Sequence, residues 1–178
     1  MRKICCYYKA AKAHAFGMED WAKATASTPS LSPWTHEGKL WVKRGGEFVV
    51  APLSPAAGSY IFTAILMKGK HLEWVVNYQD DKNYDLFQME DKYLVRTQFA
   101  NGKKGDSARI PHSLKAKDYV SVMIAVTPGA IVHSFLVEQQ WQAVDKWETP
   151  GGGLQGKFGF HVPGKDQLGV SDFRFSPN

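Results

Sequence analysis

Chemistry in this chain has to come from scattered carboxylates, imidazoles and guanidiniums, because no compact signature gathers them. QDDKNYD places Asp81, Asn83 and Asp85 at the D-x-N-x-D spacing that opens a calcium loop. Leu86 stands where that loop needs a glycine for its sharp turn, and Lys92 where it needs a bidentate Glu, so the segment is not an EF-hand. A shallow calcium site in the turn is what these three donors leave open. The six histidines, at 14, 36, 71, 112, 133 and 161, contain no pair at i, i+2 or i, i+4 that would nominate a zinc site. Gly151, Gly153 and Gly156 satisfy G-x-G-x-x-G, but they follow WETP and precede a strand, not a helix whose N-terminus could hold a pyrophosphate. A Ser-His-acid triad assembles in space and is not excluded by spacing, yet no strand-to-helix nucleophile elbow is present.

What survives is a set of polar residues that alternate with apolar neighbours on their own strands: Glu73, Asn77, Asp85, Arg96, His161 and Arg174. If they share one concave sheet, they form a groove with donors and acceptors suited to sugar hydroxyls. Stacking platforms for a sugar ring could come from Trp34, Trp141 or Trp147, which read as lying in or beside loops, whereas Trp74 reads as core.

The elements that must position these groups are short runs rich in Val, Ile, Phe, Tyr and Trp between Gly, Pro, Asn and Asp punctuation. Strands are expected near residues 39–44, 47–51, 58–67, 71–79, 83–90, 92–99, 118–127, 130–137, 141–145, 156–162 and 168–176, with long loops at 100–116 and 146–155. KRGGEF, QDDKN, MEDKY and TPGA read as hairpin turns, so neighbouring strands are expected to be antiparallel. Leu72, Trp74, Val76 and Tyr78 fall on one face, opposite His71, Glu73, Val75 and Asn77. Val120, Val122, Ile124 and Val126, and then Phe158, Phe160 and Val162, repeat the pattern. Two antiparallel sheets packed through such faces make an all-β sandwich.

Composition agrees. With 178 residues, 44% hydrophobic and 13% aromatic, the chain can bury a core without disulfides or metals. Its only cysteines, Cys5 and Cys6, are adjacent and read as free thiols. The net charge is +5, but residues 1–23 carry five Lys or Arg against Glu19 and Asp20, and the rest is nearly balanced. The body lacks the basic excess that phosphate backbones require, so nucleic acid is not an expected partner. Lys9 and Lys12 interrupt the N-terminal run before it could act as an export signal, and no run of 18 apolar residues spans a membrane. Residues 1–33 are read as a basic segment, partly helical or irregular with a short Ala-rich helix within 8–24, and residues 34–178 as the sandwich.

WVVNYQDDKNYDLFQ, the alternation in VSVMIAVTPGAIVHSFL, Trp141 and the closing GKFGFHVPGKDQLGVSDFRF resemble the laminin-G-like, concanavalin A-like jelly-roll domains. The resemblance covers residues 34 to 177 and is most specific from Gly156 to Phe175. It implies an antiparallel two-sheet jelly roll. The superfamily includes carbohydrate-binding lectins and modules, laminarinase-type glucanases and a bacterial family of 3-keto-disaccharide hydrolases. It also includes domains appended to exported bacterial proteins, which implies an extracytoplasmic parent. Laminarinase-type enzymes carry Glu-x-Asp-x-x-Glu or Glu-x-Asp-x-Glu on one strand; Glu90 with Asp91, and Glu148 alone, do not reproduce it. Fold therefore does not select function. The preferred reading is a non-catalytic module that binds glycan through Glu73, Asn77, Asp85, Arg96, Trp141, His161 and Arg174. The alternatives are hydrolysis of a modified disaccharide with Glu73, Asp85 and His161 as acid/base groups, and a protein-interaction or scaffolding domain.

Overall fold

The computed structural model describes residues 15–26, 33–52, 57–148 and 156–177. The strands are β1 (Phe16–Gly17), β2 (Thr35–Glu37), β3 (Leu40–Arg44), β4 (Glu47–Val50), β5 (Gly58–Lys68), β6 (Leu72–Asp80) and β7 (Asn83–Met89). They continue with β8 (Tyr93–Ala100), β9 (Lys103–Pro111), β10 (Val120–Thr127), β11 (Ala130–Val137), β12 (Gln140–Glu148), β13 (Lys157–Val162) and β14 (Gln167–Pro177). One helix, α1 (Met18–Ala26), is present among the described residues. Among the described residues one sheet runs β12-β11-β10-β5-β14-β3-β2 with β1 on β14, and the other runs β4-β13-β6-β7-β8-β9. Every pairing is antiparallel. This is the expected all-β jelly-roll sandwich with a short helix.

The expected alternation builds the core. Val120, Val122, Ile124 and Val126 face Phe158, Phe160 and Val162, and all are buried. Phe62 lies between Trp74 and Phe160 in edge contacts, the geometry that ring quadrupoles favour. The N-terminal segment joins this core: Phe16 pairs with Phe175, and α1 inserts Trp21, 0% exposed, against Phe160 and Phe173. Trp34, a candidate loop platform, is buried beside Trp21. Cys5, Cys6 and His14 lie outside the described residues, as does most of the 146–155 segment.

Three expectations need correction. KRGGEF is not a hairpin: β3 pairs with β14 and β4 with β13, so the chain changes sheet here. Gly45 and Gly46 are needed at this crossing, with φ of 56° and 85°, and the Gly45 amide donates to the Asp166 carbonyl at 3.0 Å. Lys103–Pro111, read as loop, is the edge strand β9. Polar residues fill most of it, because one flank has no strand and its outer face is wet. Tyr78 is not a core residue. β6 pairs evenly with β7 from Leu72 to Val76, then a bulge intervenes before Asp80 meets Asn83. Asn77 takes the left-handed conformation there, φ 53°, and against β13, where Gly159 meets Val75 and Lys157 meets Tyr78, β6 carries one extra residue that reverses the faces beyond it. Gly156 packs so closely on the bulge backbone that a Cβ would overlap it. The last glycine of the G-x-G-x-x-G match thus serves strand packing.

Candidate functional site

Partners across an antiparallel ladder share a face, so the register states which side chains lie together. On the outer face of the six-stranded sheet, one row across the strands reads Phe48, His161, then Glu73 and Gln88. His161 Nδ1 lies 2.5 Å from Glu73 Oε2, and its Nε2 lies 3.1 Å from Glu47 Oε2. Gln88 Nε2 donates to Glu73 Oε1 at 2.7 Å. The Glu73 carboxylate is therefore held on both oxygens, and its side chain is 6% exposed. Burial works against a charged His161 ring, but Glu73 and then Glu47 outweigh it and raise its pKa above the usual histidine value.

Two rows along the same face, the bulge delivers Tyr78 beside Tyr84 and Phe99. Tyr84 stacks on Phe99 with centroids 4.8 Å apart, and Phe48 reaches Tyr78 at 5.1 Å and Tyr84 at 4.9 Å. Phe48 also stacks on His161 at 4.6 Å. Between these rings lie Gly159 and Val75, which are register partners. A Cβ on Gly159 would come within 2.8 Å of the Val49 carbonyl, so only glycine fits and the rings close over Val75, 0% exposed. The result is a partly exposed aromatic strip next to a hydrogen-bonded carboxylate–imidazole pair.

The remaining candidates go elsewhere. Asp85 is the ladder partner of Val76 and faces the other sheet. There Asn77 Nδ2 donates to its Oδ2 at 2.6 Å, and burial raises its pKa against the opposing effects of Asn77, Gln98 and Arg96. Arg96 is the ladder partner of core Phe87 and also points between the sheets, where it pairs with Asp145 at 2.7 Å and sits 5.0 Å over Trp147. Arg174 is exposed on the outer face of the eight-stranded sheet, between buried Phe173 and Phe175. Trp141, 39% exposed, lies opposite Leu136 at that sheet's edge. The seven candidates therefore do not share one groove: Glu73 meets His161 on the outer face, Asn77 meets Asp85 on the inner side, and Arg174 and Trp141 lie on the other sheet. The three suspected acid/base groups are split by the sheet itself. The calcium donors do not converge either: Asp85 faces inward and Asn83 donates to Asp80 at 2.8 Å. No group of three or more His, Cys, Asp or Glu suited to a metal occurs among the described residues.

A buried polar cluster lies between the sheets. Trp74 Nε1 donates to His133 Nε2 at 3.1 Å. His133 is 0% exposed, and burial, then the Arg96 charge, push its pKa down to about 3. A neutral imidazole accepting at Nε2 carries its proton on Nδ1. Trp74 and His133 are closed from solvent, and with the neighbouring Arg96–Asp145 pair they join β6, β8, β11 and β12.

Sequence reasoning missed Phe48, Tyr78, Tyr84, Phe99, Gln88 and Glu47. Tyr84 and Gln88 were signalled, because both are two-residue steps from Leu86 and so share its face. Tyr78 was not, since nothing local announces that Asn77 adopts a left-handed backbone.

No protein-family model matches the chain, and no curated protein matches it. Solved structures do share the fold. The carbohydrate-binding module CBM66 from Bacillus subtilis superposes with a TM-score of 0.64 at 13% identity, over 83% of this chain and 93% of that one. The Caenorhabditis elegans galectin LEC-6 gives 0.54 at 7% identity, over 76% and 95%. A xylan beta-1,4-xylosidase from Bacillus halodurans gives 0.61 at 15% identity over 84% of this chain, which spans only 35% of the length of that enzyme. The jelly-roll fold is thus shared with a carbohydrate-binding module, a galectin and part of a xylosidase.

Proposed function

We propose that the protein is a non-catalytic carbohydrate-binding module and that the outer face of the six-stranded sheet is its binding face. The observation that carries this reading is the strip Phe48, Tyr78, Tyr84 and Phe99 beside Glu73, His161 and Gln88. Partly exposed rings offer apolar faces to the C–H face of a sugar, and the polar row offers fixed donors and acceptors to its hydroxyls. The fold likeness to a carbohydrate-binding module and a galectin supports the same reading. Hydrolysis is the second reading, favoured by the likeness to part of a xylosidase. Against it, both oxygens of Glu73 are engaged by Gln88 and His161, and Asp85 lies across the sheet, so Glu73 and Asp85 do not flank one bond as a retaining pair must.

The test is a glycan array followed by calorimetry on the hits. Tyr84→Ala should weaken binding by about tenfold, in keeping with the loss of about 1–1.5 kcal/mol from one stacked ring, and Trp141→Ala should leave it unchanged. Binding lost with Trp141→Ala and kept with Tyr84→Ala would move the site to the other sheet. Turnover of a keto-disaccharide that disappears with Glu73→Gln would favour the hydrolase.

A further inference from the structure

The register extends the aromatic strip at both ends. On β13, Lys157 is the partner of Tyr78, and on β9, Lys104 is the partner of Phe99, while Tyr84 and Phe99 are partners in between. Alternation agrees, since Phe158 next to Lys157 is buried in the core. One row across five neighbouring strands therefore reads Lys157, Tyr78, Tyr84, Phe99, Lys104. Both lysines are exposed, and among the described residues neither forms an ion pair. Four strand spacings separate them, about 19 Å, the span of an oligosaccharide and not of a single sugar.

Most carboxylates around this row are already engaged. Glu73 and Glu47 share His161, Glu90 pairs with Arg109, and Asp80 accepts from the Lys82 amide and from Asn83. Asp81, in the adjoining hairpin, is the other acid whose charge reaches Tyr78 and Tyr84. The two ends of the row are thus cationic, while the acids nearest the rings are held by His161 and Asn83 or lie in the hairpin beyond them.

We propose that the ligand of this face is an acidic oligosaccharide, bearing carboxylate or sulfate groups that meet Lys157 and Lys104 while its rings lie on Tyr78, Tyr84 and Phe99. This rests on the carbohydrate-binding reading and narrows it to a ligand class. Lysine suits the role, because its long stem covers the neighbouring ring while its ammonium stays in water to meet an anion.

The experiment uses the whole chain and a panel of uronic-acid, sulfated and neutral oligosaccharides, measured by calorimetry at low salt and at about 0.5 M NaCl, where exposed charges are screened. Acidic members should bind in preference to neutral ones. The double variant Lys104→Ala, Lys157→Ala should weaken that binding by about tenfold, two exposed ionic contacts each being worth a few-fold, and high salt should do the same. Retention by uronates alone or by sulfated sugars alone identifies the anion, and either result supports the proposal. Binding of neutral sugars only, or acidic binding unchanged in the double variant, overturns the acidic class and leaves the carbohydrate reading standing. Binding of no sugar at all overturns both.

Discussion

Glu73→Gln isolates the pair on which the polar row depends. In the folded protein His161 is held above its ordinary pKa by Glu73 and Glu47, despite a burial effect of opposite sign. A histidine whose folded pKa is raised contributes stability that is fully present below its unfolded value, near 6.5, and is lost as the pH rises through the folded value. The two side chains are only 16% and 6% exposed, so screening is weak and a charge-assisted hydrogen bond of about 1.5–3 kcal/mol applies. Glutamine keeps the shape and the bond from Gln88 but removes the charge. We expect the variant to be less stable than the parent by about 2 kcal/mol near pH 5.5, with the gap shrinking above the folded pKa of His161. Asp85 and Asp145 have raised pKa values as well, but they are common to both proteins and cancel in the difference. Urea unfolding of both proteins across pH 5 to 9, with the His161 ring titration followed by NMR, supplies the numbers. A gap that stays constant across that range would refute the account of Glu73 and His161 as a coupled charge pair.

Trp74→Phe keeps the packing on Phe87 but leaves His133 Nε2 buried without its donor, and should cost about 1–3 kcal/mol in a denaturant midpoint shift. Asp145→Asn should cost more than Trp141→Ala, because it leaves the Arg96 guanidinium without a charged partner at a site where Asp145 is 8% exposed. Gly156→Ala should destabilise the protein by more than about 1 kcal/mol, since the bulge backbone of β6 occupies the space of the new methyl group. Equal melting curves for parent and variant would contradict that packing.

Much of the fold was legible because both sheets follow period-2 alternation wherever they are half buried. VSVMIAV and KFGFHV place Val120, Val122, Ile124 and Val126, and Phe158, Phe160 and Val162, on the inner face as alternation requires, and MEDKY and TPGA close the hairpins their residues imply. Alternation states which residues are inside a strand's own pattern, but not which sheet that strand joins. Arg174 satisfied the pattern and lies on the other sheet. Arg96 also satisfied it, yet it shares the inner face with Phe87, because a buried carboxylate and Trp147 await it there. The bulge at Asn77 was illegible for a different reason: its left-handed backbone packs against Gly156, some eighty residues away in sequence. That one residue moved Tyr78 from the core to the surface and Asn77 from the surface to Asp85. QDDKN, which reads as a calcium-loop start, is a hairpin whose Asp80 and Asn83 bond to each other.

Binding on the outer face of the six-stranded sheet can be read out by amide shift mapping. Titration of the labelled protein with the best-binding oligosaccharide should move the amides of Phe48, Tyr78, Tyr84, Phe99, Lys157 and His161, and leave those of β10, β11 and β12 in place. Shifts centred on Leu136 and Trp141, or on Arg174, would contradict it.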